Sequence, residues 1–125
     1  MEGMAQLLNT VKLVNSSLNP GLELDGILLT MFDSRNNLHK QVAGEIRKHF
    51  NDKVFKSVIP RNVKLSECPS FGKPIILYDI ESRGSEAYLS LAKEMILKTK
   101  TSTKEKKPET GKRKKFSKKI KSEAP

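Results

Sequence analysis

The stretch that most limits what this chain can fold into runs from Ile59 to Asp79, IPRNVKLSECPSFGKPIILYD. Pro60, Pro69 and Pro74 each fix φ and lack a backbone N–H, so the segment is read as neither regular helix nor central strand. About twenty residues of proline-bounded loop are uncommon inside a compact domain, where such segments are usually functional or disordered. Large apolar side chains recur along it, among them Val63, Leu65, Phe71, Ile75 and Leu77, and they argue for order. An ordered functional loop is the reading.

The flanking residues supply regular elements. Leu7, Leu8, Val11, Val14 (or Leu13) and Leu18 fall at helical spacing over residues 2–18, and Asn19-Pro20-Gly21 then stops the helix. Leu24 to Thr30 is a nearly continuous apolar run, as in a parallel strand covered on both faces. Residues Met31 to Asn37 leave its carboxyl end as a polar loop, and Asn36 or Asn37 suits the cap of a helix carrying Leu38, Val42, Ile46 and Phe50 on one stripe. Asn51-Asp52 closes that helix, and Val54 to Ile59 reads as a second strand. After the long loop, Ser82 or Ser85 starts a last helix, with Ala87, Tyr88, Leu91, Ala92, Met95 and Ile96 facing inward. Strands alternating with amphipathic helices predict an α/β fold with a parallel sheet. Two parallel strands with three helices leave sheet edges and helix faces uncovered. The expectation is therefore a part of a larger assembly or domain, with exposed apolar faces and marginal stability alone.

The net charge of +10 sits almost wholly at the carboxyl end. Residues 1–97 hold 12 Lys+Arg against 11 Asp+Glu, whereas residues 98–125 hold 12 against 3. With only Phe116 and Ile120 as large hydrophobes, residues 98–125 are expected to form a disordered Lys-rich tail. The Lys112-Arg113-Lys114-Lys115 cluster suits DNA, RNA or an anionic membrane surface, and equally a simple solubilising tail. One cysteine, Cys68, excludes an internal disulfide framework, and with only His39 and His49 beside it no zinc-ligand spacing arises. No apolar run approaches the ~20 residues that span a bilayer, and residues 1–20 lack the pattern of a secretory signal. A soluble intracellular protein is expected.

Three blocks, EGMAQLLNTVKLV, GILLTMFDSRNNL and IPRNVKLSECPSFGKPIILYDIESRGSEAYLSLAKEMI, together resemble the carboxy-terminal portion of ParA/Soj-type partition ATPases. These are deviant-Walker P-loop proteins related to MinD. The resemblance spans residues 2–97, taken as the carboxy-terminal part of a ParA-like ATPase domain. It implies part of a doubly wound, mainly parallel α/β sheet, an incomplete P-loop NTPase fold. It further implies ATP and Mg at the sheet's carboxyl edge, an ATP-driven homodimer, non-specific DNA binding, and a ParB-type partner protein that stimulates hydrolysis. The implied role is chromosome or plasmid partition, and the implied location is cytoplasmic and nucleoid-associated.

Residue by residue, the Pro60-Arg61-Asn62 turn matches the family's adenine-side wall, and Thr30-Met31 lies where the other side of that wall is expected. Arg35 and Lys64 match basic positions of the DNA-binding face, Lys64 where arginine is common. Both also read as ordinary solvated charges. Asp33 and Asp79 read as loop-capping carboxylates in preference to catalytic ones. Cys68 stands where the family has alanine and reads as structural. Gly72-Lys73 and Gly111-Lys112 both lack the remaining residues of a phosphate loop.

The family's KGGVGKT phosphate loop and its Mg-binding aspartate have no counterpart in these residues, so a fragment is expected: a truncated gene, a partial gene product or half of a split protein. No catalytic residue is assigned, and tight ATP binding or hydrolysis by the chain alone is not expected. Two other readings stay open: a nucleic-acid-binding remnant without ATPase activity, and a module that docks on a partner chain.

Overall fold

A computed structural model describes the backbone of residues 1–105. Helix α1 (Glu2–Ser17) is followed by strand β1 (Ile27–Phe32), helix α2 (Asn37–Phe50), a 3₁₀ turn (Asn51–Lys53) and strand β2 (Val54–Pro60). Short α3 (Val63–Glu67), a second 3₁₀ turn (Cys68–Phe71) and α4 (Ile75–Tyr78) lead into the long α5 (Arg83–Glu105). The two strands pair in parallel, and α2 provides the crossover that parallel neighbours require. The chain is thus mixed α/β with a parallel sheet.

The core is narrow. Phe55 and Ile59 of β2 pack on Leu91 of α5, with Leu28, Leu65 and Ala87 around them. α1 buries no residue, and no β1 residue is fully buried although its sequence is apolar on both faces. Leu7, Leu13, Leu89, Ile96 and Leu97 lie exposed. Of the α5 residues expected to face inward, only Leu91 is buried, while Tyr88, Met95 and Ile96 remain exposed. Helical spacing identifies an apolar stripe; burial needs a neighbour to cover it.

Three boundaries differ from the sequence reading. The Ile59–Asp79 segment is not irregular: its prolines stand at element boundaries, where a missing N–H breaks no ladder. Pro60 ends β2, Pro69 lies in the first turn of a 3₁₀ helix, and Pro74 precedes α4. β1 lies further along the chain than Leu24–Thr30, because pairing with β2 draws Met31 and Phe32 into the strand. The helix that the sequence ends near residue 97 continues to Glu105, so residues 98–105 of the expected disordered tail are helical. A helix nucleated against β2 gains one backbone bond for each residue added. Lys98 strengthens the extension by bonding the Asp25 carbonyl and lying 5.0 Å over the Phe55 ring. Residues 106–125 of that tail, with the Lys112–Lys115 cluster, lie outside the described residues.

Candidate functional site

Both strands run the same way, so the loops after Phe32 and after Pro60 emerge at one edge of the sheet, the carboxyl edge where open α/β sheets bind ligands. The Arg61 N–H donates to the Phe32 carbonyl at 3.1 Å and ties the two strand ends together. Thr30, Met31 and Arg61 line one hollow of about 590 Å³, whose other walls include Met4, Leu7, Val42 and Ile46. Pro60 faces a separate groove with Phe32, Ser34, Arg83 and Glu86, on the α5 side. Asn62 does neither: its Oδ1 accepts the Leu65 N–H at 3.3 Å and caps α3. The wall residues inferred from the sequence therefore straddle the sheet edge.

Met31 is a backbone outlier with φ of 50°, uncommon for a residue with a side chain. The strand register accounts for it. Ile27 pairs with Val54, Leu29 with Val58 and Phe32 with Pro60, so the ladder is irregular on both sides of Leu29. Met31 falls within the second irregularity, where β1 advances three residues while β2 advances two.

The basic positions are each held by carboxylates. Arg35 follows β1; its Nε and Nη2 donate to the two Asp33 oxygens at 3.2 Å, and its backbone N–H bonds Oδ1 at 2.9 Å. Those bonds, the side-chain one foremost, pull the Asp33 carboxyl down to about 2 and push the Arg35 guanidinium up. Asp33 thus caps its loop, as its sequence context suggests. The Arg35 side chain is still 90% exposed, so a phosphate has access to it. Lys64, on α3, stands 3.8 Å from Glu67 and 4.0 Å from Asp79, and 5.8 Å from the Tyr78 ring. Tyr78 donates to Glu67 at 2.6 Å and stacks on Phe71. The Glu67 hydrogen bond, with burial adding to it, raises the Tyr78 phenol. Cys68 is buried, and its thiol donates to the Leu65 carbonyl, a packing role.

Residues 1–75 match the family described as CobQ/CobB/MinD/ParA nucleotide binding domain. The chain belongs to this family. It is 57% identical over 96 residues to the chromosome partitioning protein ParA of Caulobacter vibrioides, covering 77% of this chain and 36% of that protein. To the sporulation initiation inhibitor protein Soj of Bacillus subtilis it is 63% identical over 95 residues, covering 76% and 38%. To the chromosome-partitioning ATPase Soj of Treponema pallidum it is 48% identical over 96 residues, covering 77% and 38%. The chain therefore spans a little over a third of the length of these relatives.

The hollow beside Thr30, Met31 and Arg61 is lined mainly by apolar side chains. Among the described residues no three His, Cys, Asp or Glu side chains gather as a metal site, so no Mg-holding residue is assigned. Two residues that order these elements, His39 and Glu94, escaped the sequence reading, whereas Ser82 did not. His39 Nδ1 accepts the Asp33 N–H at 3.0 Å, and Ser82 Oγ accepts the Ser85 N–H to start α5. Glu94 of α5 accepts the Lys56 and Ser57 N–H groups at 2.6 and 2.8 Å. Burial raises the Glu94 carboxyl, but the Ser57 and Lys56 hydrogen bonds outweigh it and hold it below its usual value. Only Ser82 had a signal in the sequence, a serine ahead of an apolar stripe.

Proposed function

We propose that this chain is the carboxy-terminal portion of a ParA/Soj-type partition ATPase, contributing a wall for the adenine of ATP and basic positions for non-specific DNA binding. The observation that carries the reading is the identity of 57–63% to relatives named for chromosome partitioning and for Soj. The hollow at the carboxyl edge supports the base-wall part. Thr30, Met31 and Arg61 would meet the base there, and Pro60 and Asn62 would hold the turn that carries Arg61. ATP, when bound, supplies the phosphoanhydride whose hydrolysis drives the family's cycle. These residues orient the base and shield it from water. Arg35 and Lys64 would meet phosphates of DNA. A homodimer, a ParB-type partner, chromosome or plasmid as cargo, and a cytoplasmic, nucleoid-associated location belong to the same proposal. No helix among the described residues is long and apolar enough to cross a membrane.

Titration of the 125-residue chain with a fluorescent adenine nucleotide, and with random-sequence duplex DNA, tests both parts. Weak nucleotide binding lost in Arg61→Ala, without hydrolysis, is the expected result. Binding untouched by substitution at Thr30, Met31 and Arg61 counts against the base wall. A second reading, a module that docks on a partner chain, is favoured by one observation: α1 buries none of its residues. Its partner would be the amino-terminal portion of a relative. Co-elution of the two polypeptides supports it, and separate elution counts against it.

A further inference from the structure

The first register irregularity in the sheet has an unusual set of partners. Between Val54 and Val58, β2 advances four residues while β1 advances two, from Ile27 to Leu29. In a regular strand successive N–H groups point to opposite sides, so one carboxylate cannot serve two in a row. Glu94 serves both Lys56 and Ser57. On the carbonyl side, Arg47 of α2 donates Nη1 to the Phe55 oxygen at 3.2 Å and Nη2 to the Lys56 oxygen at 3.5 Å. The peptide units Phe55–Lys56 and Lys56–Ser57 therefore have both their N–H and their C=O groups bonded by side chains. In a trans peptide these groups point apart, so the partners come from two different helices.

We propose that Glu94 and Arg47 are positioning residues: they hold the β2 bulge that sets the register at the sheet's carboxyl edge, and through it the base wall. The bulge moves the pairing two residues along β2, and the second irregularity at Met31 takes one back, so that Phe32 pairs with Pro60. Without the two extra residues of the bulge, Phe32 would fall opposite Val58. The bulge thus decides that Pro60 stands opposite Phe32 and that the Arg61 N–H meets the Phe32 carbonyl. Neither side chain lines the hollow at Thr30 and Met31; both act on it through the strand. The link to nucleotide rests on the base-wall reading above, while the link to register does not.

The test compares Glu94→Ala, Glu94→Gln and Arg47→Met, each in the 125-residue chain, with the unaltered chain by residue-resolved amide exchange and by titration with a fluorescent adenine nucleotide. Glu94→Ala is expected to speed exchange of the Arg61 amide about tenfold and to shift the Phe32 and Arg61 amide resonances, while α2 amides such as Ile46 stay protected. Glu94→Gln keeps one acceptor oxygen and is expected to restore part of that protection. Nucleotide affinity is expected to fall in the same order. A perturbation confined to Lys56 and Ser57, with Arg61 unmoved, overturns the proposal. So does a uniform acceleration across all elements, which marks a merely stabilising role. Absence of nucleotide binding in the unaltered chain overturns the base-wall reading alone, since the exchange measurement reads the register directly.

Discussion

Gly84→Ala tests how α5 positions the loop that carries Asn62 and Lys64. Gly84 is buried in the first turn of α5, where a Cβ would lie 2.5 Å from Leu65 Cγ and 2.9 and 3.0 Å from its two Cδ atoms. Comfortable carbon contacts fall at about 3.5–4.0 Å, so the branch point of Leu65, not merely its tip, must retreat by about 1 Å. Leu65 sits on a five-residue helix whose first turn is pinned by the Asn62 cap, which leaves α3 little freedom to follow. Overpacking of this kind costs about 1–3 kcal/mol, and the better helix propensity of alanine returns at most about 1 kcal/mol. A net destabilisation of about 1 kcal/mol is expected, measured by urea unfolding followed by far-ultraviolet circular dichroism. Leu65→Ala alone removes a side chain from the Phe55–Ile59–Leu91 cluster and is expected to cost about 2 kcal/mol. In the double variant the new methyl enters space the leucine has left. The two effects should then fall short of additivity by about 1 kcal/mol. Additivity, or a Gly84→Ala chain as stable as the original, refutes the reasoning.

Three further outcomes follow from the same contacts. Asn62→Ala removes the side-chain cap of α3 and is expected to cost about 1 kcal/mol in the same unfolding assay, with Asn62→Asp close to the original. The folded Glu94 carboxyl lies below its usual 4.5, so its contribution is complete above that value and is lost as pH falls through the folded one. Between about pH 5 and pH 3 the urea midpoint should therefore fall more steeply in the original chain than in Glu94→Gln. Asp33 acts in the same direction at lower pH, its loop contact to Arg35 persisting until pH approaches about 2. For DNA, Arg35→Ala and Lys64→Ala are each expected to reduce the slope of log affinity against log salt by about 1, equally on all sequences. If both leave the slope unchanged while removal of residues 98–125 abolishes binding, the tail alone carries the interaction.

The amino-acid sequence determined what depends on near neighbours along the chain. The stripe of Leu38, Val42, Ile46 and Phe50, with Asn36 ahead of it, marked α2 correctly, because capping and helical periodicity act within a few residues. Val54 to Ile59 and the stop at Asn19-Pro20-Gly21 were legible for the same reason, and the family was legible in the PRNVKLSE and PSFGKP blocks. The Asp33–Arg35 contact, two residues apart, also belongs to this class. Tertiary structure decided the rest. No local signal says that Glu94 will reach strand residues 37 and 38 positions earlier, or that Phe32 will pair with Pro60 and not with Ile59. The prolines of the Ile59–Asp79 segment ruled out one long element but not several short helical turns, since each proline sits where no N–H is needed. That Asn62 caps α3 was not legible either, because the cap depends on where α3 begins. Periodicity also overstated burial on α5: it shows which face of a helix is apolar, and only packing decides whether another element covers it.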